Sequence, residues 1–197
     1  MPNLVQKRLL MTIHLHAPLN ETALLSLSAG DLVLISGPVY TARDAAHQKM
    51  AQMLESGRPL PFAIRGQIIY YAGPCPTPPG KICNSLGPTT SSRMDIYTPA
   101  LLAAGLKAML GKGRRSLSVI EACRQEKAVY LAVIGGIAAL TAQSVLKSEI
   151  IAWPELGPEA VHRLEIRDLP AIVINDCQGR DFYGIRGQRT EDGGRRG

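Results

Sequence analysis

The sequence predicts a mixed α/β fold built as one domain. Three observations carry that prediction. Short apolar runs with strand character recur along the chain, among them Leu32-Val33-Leu34-Ile35, Ile68-Ile69-Tyr70-Tyr71 and Ala128-Val129-Tyr130-Leu131-Ala132-Val133. Segments with helical spacing alternate with them, and some strands follow one another directly. The 197 residues contain neither an internal repeat nor a Pro/Ser-rich linker, and 46% are hydrophobic, enough for a real core.

In chain order, residues 10–15 alternate loosely and read as a strand that Pro18 stops. The run 32–35 is a second strand, expected to end at Ser36-Gly37-Pro38, the first of three Gly-Pro breakers beside strand ends. Thr41 is then a candidate N-cap with Asp44 at N3, a shorter acidic version of a capping box. The helix that follows should stop near Glu55-Ser56-Gly57. Arg43 falls in its first turn, where a cation opposes the helix dipole. Such a residue needs a partner, either an anionic ligand or Asp44. A third strand at 68–71 ends at Gly73-Pro74, and the four prolines and one glycine of residues 74–80 make an irregular surface loop.

The stretch Gly87-Pro88-Thr89-Thr90-Ser91-Ser92-Arg93-Met94-Asp95 sets four hydroxyl side chains between a Gly-Pro turn and an arginine. Met94, Tyr97, Leu101 and Leu102 follow at near-helical spacing, so Thr90, Ser91 or Ser92 is a candidate N-cap. A helix start offers free N–H donors, and the planar fork of Arg93 matches a carboxylate in bidentate fashion. Together they suit a small carboxylate or phosphate. Residues 101–110 continue as helix, or as helix and a short strand at 108–110. In Gly111-Lys112-Gly113 the lysine has no neighbouring side chains to crowd it, and the spacing is not that of a P-loop. Residues 118–127 read as helix, 128–133 as a buried strand, and Gly135-Gly136 as a close turn into a helix at 138–146. A loop and short helix span 153–160. Residues 164–166 and 171–174 look like two final strands. From Gly184 glycine and charge dominate, and residues 184–197 are expected to be a flexible basic tail behind a domain of residues 1–183.

Mean hydropathy is near zero, and no apolar run reaches the ~18 residues of a membrane span. The N-terminus does not read as a signal peptide. Cys75, Cys83, Cys123 and Cys177 contain no C-x-x-C pair, so they fit reduced, cytoplasmic thiols rather than a disulfide framework or zinc site. His14 and His16 alternate on a strand face rather than forming a metal pattern. The net charge of +6 comes with only 5% aromatic residues and no basic helix, which argues against nucleic acid. Attraction of a dianionic metabolite explains it equally well.

Taken together, Ser36-Gly37-Pro38-Val39-Tyr40-Thr41-Ala42-Arg43-Asp44-Ala45-Ala46-His47, Tyr70-Tyr71-Ala72-Gly73-Pro74, the 87–95 stretch, Gly111-Lys112-Gly113, and Ala128-Val129-Tyr130-Leu131 with Gly135-Gly136 resemble, in the right order, one family. It is the β subunit, or C-terminal domain, of class I iron–sulfur hydro-lyases: fumarate hydratase and L-tartrate dehydratase. The resemblance covers roughly residues 10–183. It implies a swivelling β/β/α domain that closes an active site shared with an α subunit. The α subunit holds a [4Fe–4S] cluster whose open iron acts as a Lewis acid on the substrate hydroxyl. This chain would bind no cluster itself. Arg43, Arg93 and Lys112 should bind the carboxylates of fumarate or L-malate. Thr89 is the candidate catalytic base. Asp44 would orient Arg43, and His47 would pack or hydrogen-bond. Two α and two β chains are the expected assembly, with β–β contacts.

Residues 39–47 and 128–131 look closer to fumarases than to tartrate dehydratases. The leading expectation is therefore reversible hydration of fumarate to L-malate. An L-tartrate dehydratase β subunit is the alternative within the family, and a non-catalytic carboxylate-binding or docking module is the alternative outside it. Gly179-Arg180-Asp181 departs from the family pattern, and no family role attaches to the arginine-rich tail.

Overall fold

A computed structural model describes residues 12–74, 80, 82, 85–133 and 138–184. The expectations for Leu10, Cys75, Cys83, Gly135-Gly136 and the tail beyond Gly184 lie outside the described residues. The fold is mixed α/β. Its strands are β1 (Ile13–His16), β2 (Leu32–Thr41), β3 (Ile68–Tyr70), β4 (Ala108–Gly111), β5 (Val129–Val133), β6 (Val145–Ala152) and β7 (Val161–Asn175). Its helices are α1 (Glu21–Leu25), α2 (Asp44–Glu55), α3 (Thr98–Ala103), α4 (Leu117–Glu126) and α5 (Ala138–Gln143). Two 3-10 segments, Ser91–Met94 and Pro154–Glu159, complete it.

The strands pair in the order β1-β2-β3-β4-β5-β7-β6, and β2 also pairs with β7. That extra pairing closes β2, β3, β4, β5 and β7 into a ring. Strands β1 to β5 run parallel to one another, while β7 is antiparallel to β2, β5 and β6. Alternation within the central strands explains why they read as continuous apolar runs. Ile68, Tyr70, Leu110 and Leu131 belong to one core, whereas Ile69, Tyr71, Met109 and Tyr130 belong to a second, which α2, α3 and α4 help to form.

Four elements differ from the sequence reading. Strand β2 does not stop at Gly37-Pro38 but continues to Thr41, because β7 pairs with it from Leu32 to Tyr40 with a register shift between Ile35 and Gly37. Gly37 takes φ +99, and a Cβ there would stand 2.7 Å from the Ala17 carbonyl oxygen. Pro38 falls between the segments that pair with β1 and β3, where a missing N–H costs least. Thr41 is accordingly a strand residue, not an N-cap, and its Oγ1 accepts the His162 N–H at 3.1 Å.

The two expected final strands are one, β7. Asp168, at φ +50, interrupts the regular backbone without ending the pairing, because β6 and β2 hold either side of it. The helix expected over 138–146 ends at Gln143, and β6 follows. Among the described residues strand β6 pairs only with β7, and its Lys147 and Glu149 are exposed, so it lacks the apolar signature of the inner strands. Finally, the expected single helix after Arg93 is a 3-10 turn followed by α3. Thr90 occupies the N-cap position of the 3-10 turn without a side-chain cap bond.

Candidate functional site

The Gly-Pro turns and the glycine-flanked lysine converge at one place. A cleft of ≈ 260 Å³ is lined by Arg43, Gly73, Gly87, Pro88, Thr89, Thr90 and Lys112. Each wall comes from the segment after a strand of the ring: Arg43 follows β2, Gly73 follows β3 and Lys112 follows β4. The 87–90 segment is fastened across their ends. The Thr89 N–H donates to the Tyr71 carbonyl at 2.7 Å, Ala72 bridges to Pro88, and Thr90 bridges to Lys112. Three of the four principal residues expected from sequence, Arg43, Thr89 and Lys112, therefore share one cleft.

Arg93 stands outside that lining, held by Asp44. Its Nε lies 2.8 Å from Asp44 Oδ1, with Arg93 about half exposed. Asp44 was expected to orient Arg43; the structure pairs it with Arg93 instead. Adjacent side chains at a helix start diverge, so residues 43 and 44 do not face each other. Arg43 has a distant partner, Glu159, at 3.4 Å from Nη2. Its Nε is buried and has no hydrogen-bond partner among the described residues, and neither has Asp44 Oδ2.

His47 is fully buried one turn into α2. Its Nδ1 lies 2.9 Å from the Arg43 carbonyl oxygen. A carbonyl only accepts, so Nδ1 carries the proton and the lone pair is on Nε2. Burial pushes the imidazole pKa down to about 4; the Arg115 charge adds to this, and the Arg43 carbonyl and Asp44 oppose it. The ring is thus neutral, with its one N–H spent on the backbone. The ring packs edge-on against Tyr71 at 5.1 Å.

Sequence reasoning missed the residues that hold Lys112. Ser91 is buried, its Oγ is 2.9 Å from the Tyr130 hydroxyl, and it accepts the Lys112 N–H at 3.1 Å. The Tyr130 hydroxyl donates in turn to the Gly113 carbonyl at 3.0 Å. Below this lies Arg115, read from sequence only as part of a basic turn. Its side chain is fully buried, bonds Asp95 at 2.7 Å, donates to Thr98 and Tyr71, and sits over the Tyr71 and Tyr130 rings. Burial would lower its pKa, but Tyr71 and Asp95 outweigh that and raise it. No local signal separates buried Arg115 from its exposed neighbour Arg114.

Among the described residues no group of three or more His, Cys, Asp or Glu side chains is placed to hold a metal ion. The described cysteines, Cys123 and Cys177, are both buried, and burial pushes the Cys123 thiol up to about 12. A thiol so far from ionising is a poor ligand for an iron–sulfur cluster, so these donors do not fit one. No helix among the described residues is long and apolar enough to cross a membrane.

Residues 1–185 match the family model described as Fumarase C-terminus. The chain is 44% identical over 151 residues to the aerobic class I fumarate hydratase of Escherichia coli (strain K12), covering 76% of this chain and 28% of that protein. It is 38% identical over 192 residues to the mitochondrial fumarate hydratase 1 of Leishmania major, covering 93% of this chain and 35% of that protein. It is 40% identical over 163 residues to a putative L(+)-tartrate dehydratase subunit beta of Methanocaldococcus jannaschii, covering 80% of this chain and 84% of that one. The chain thus spans about a third or less of the E. coli enzyme and just over a third of the L. major one.

Proposed function

The chain belongs to the fumarase C-terminus family, and on that premise we propose that it supplies half of the active site of a class I hydro-lyase. The reaction is the reversible hydration of fumarate to L-malate. The other half, with the [4Fe–4S] cluster, comes from an α partner. The observation that carries the reading is the convergence of Arg43, Thr89 and Lys112 on one cleft, with Arg93 held by Asp44, the residue that follows Arg43.

The charges suit a dicarboxylate. Asp44 takes the Nε of Arg93 and leaves its two terminal nitrogens without a partner among the described residues, so the end of the fork stays available to a carboxylate. Lys112 has no ion-pair partner among the described residues. Three cations against Asp44 and Glu159 leave one net positive charge before the substrate arrives. A dianion is therefore attracted, and the rest of its charge is left for the α partner to balance.

Thr89 is the candidate base: its Oγ1 takes the proton from C3 of malate while its own hydroxyl proton passes to a carboxylate of the α partner. Arg43 and Lys112 line the same cleft, and two nearby cations favour the build-up of negative charge on that oxygen. They also favour the extra negative charge on the substrate carboxylate as the proton leaves.

A second reading keeps the chemistry and changes the substrate. One relative is named a tartrate dehydratase subunit beta, and the match covers 84% of its chain. The deciding experiment is production of this chain together with its cluster-bearing partner under strict exclusion of oxygen, assaying fumarate hydration and L-tartrate dehydration in parallel. Fumarate turnover is expected. Tartrate turnover alone selects the second reading, and a cluster-loaded pair active on neither overturns both.

A further inference from the structure

Helix α2 has no cap of its own making. Its N-cap residue is Arg43, which makes no side-chain cap bond. The acid in its first turn, Asp44, is committed to Arg93. One donor of that turn is served from far away: Glu159 Oε2 accepts the Ala45 N–H at 2.9 Å, across 114 residues of sequence. The other oxygen, Oε1, lies 3.4 Å from Arg43 Nη2.

The segment bearing Glu159 is fastened on both sides. Lys49 of α2 bonds Glu155 at 2.7 Å and lies over the Trp153 ring at 5.4 Å. On the cleft side, Gly73 packs so tightly that a Cβ there would meet the Pro158 carbonyl oxygen at 2.2 Å and Arg43 Cδ at 3.3 Å. The connection between β6 and β7 is thus a strap over the start of α2 that ends against the cleft wall.

We infer that Glu159 is a positioning residue: from this strap it orients the Arg43 guanidinium for a dicarboxylate and closes the N-terminus of α2. The inference rests on the reading of Arg43 as a substrate ligand. A carboxylate anchored to the Ala45 N–H does not leave when substrate arrives, so it acts as a fixed counter-charge rather than a placeholder. Its loose 3.4 Å approach restrains Arg43 while leaving the buried Nε unengaged.

Two variants separate the two duties. Glu159→Gln keeps an oxygen for the Ala45 N–H but removes the charge beside Arg43, and Glu159→Ala removes both. In nitrogen-15 NMR of the chain alone, Glu159→Ala should speed exchange of the Ala45 amide and of the Arg43 Nε–H by about 10-fold or more, and Glu159→Gln that of Arg43 only. Unchanged Arg43 exchange in Glu159→Gln overturns the inference without reference to activity. In the active pair, Glu159→Gln should raise KM about 5- to 10-fold with kcat within about two-fold, as expected when an interaction shared by ground and transition states is lost. An unchanged or lowered KM overturns it too. A wild-type pair inactive on both dicarboxylates sinks the functional reading, and the exchange rates still judge Glu159.

Discussion

Ser91 Oγ and the Tyr130 hydroxyl lie 2.9 Å apart over Gly111, where a Cβ would stand 1.9 Å from that same Oγ. The pair joins the serine-threonine loop to β5, and through the Lys112 N–H it fixes the lysine of the cleft.

Ser91→Ala leaves the Lys112 N–H without its Oγ acceptor and takes one partner from the buried Tyr130 hydroxyl. The expected loss is about 1–3 kcal/mol of stability, the cost of an unmet buried polar group. Urea unfolding measures it. KM for the dicarboxylate should rise in the same variant, because the lysine loop loses its tie to the Ser91 side chain. A variant as stable as the parent and with its KM would show that the bond does not hold the loop.

Arg115→Ala is expected to be far more damaging. Asp95, mostly buried, would keep its charge with only the Ser116 N–H for a partner among the described residues. Removing one member of a buried pair costs about 3–5 kcal/mol. The double variant Arg115→Met/Asp95→Asn should recover part of that in denaturant titrations, since it leaves no uncompensated charge.

His47 gives stability a pH dependence. Its folded pKa, about 4, is below the ordinary 6.5, so folding sheds a proton. The contribution is whole above pH 6.5, declines as pH falls toward about 4, and is lost below that. Across this window it amounts to roughly 3 kcal/mol. His47→Asn, which retains an N–H donor, should flatten the difference between unfolding free energies measured at neutral pH and at pH ~4.5. An unaltered slope would mean that the ring is protonated in the folded chain.

Arg93→Ala should leave folding intact, because the side chain is half exposed, and remove roughly 2–5 kcal/mol of dicarboxylate binding. Circular dichroism and turnover of the α-partnered enzyme test the two halves. Undiminished turnover would remove Arg93 from the site.

Much of this was legible in the chain. The inner strands carried it, because burial on both faces leaves an unbroken apolar run, and so did Lys112, because its flanking glycines mark a turn; Thr89 entered only through the family resemblance. What stayed hidden was set by distance or by composition. Glu159 reaches Arg43 from the far end of the chain, and nothing beside it says so. Strand β6 is charged along its exposed face and reads like the end of a helix. Gly37-Pro38 carries the strongest local signal for a break, yet pairing with β7 overrides it. Arg114 and Arg115 differ only in which way the loop turns, and that is decided by Asp95.

The closing pair of the ring has a consequence for how the protein is made. Strand β2 emerges early and β7 last among the strands, so the early half leaves the ribosome with one edge of its sheet open. Contacts this remote in sequence form slowly, since the loop between them must close first. Until Leu32 finds Ile172 and Tyr40 finds Arg163, that edge is a template for a neighbouring chain. Slow translation or a truncated transcript should therefore feed aggregates, and a circular permutant opened between β6 and β7, which brings β7 ahead of β1 and β2, should form this closing pair faster than the natural order.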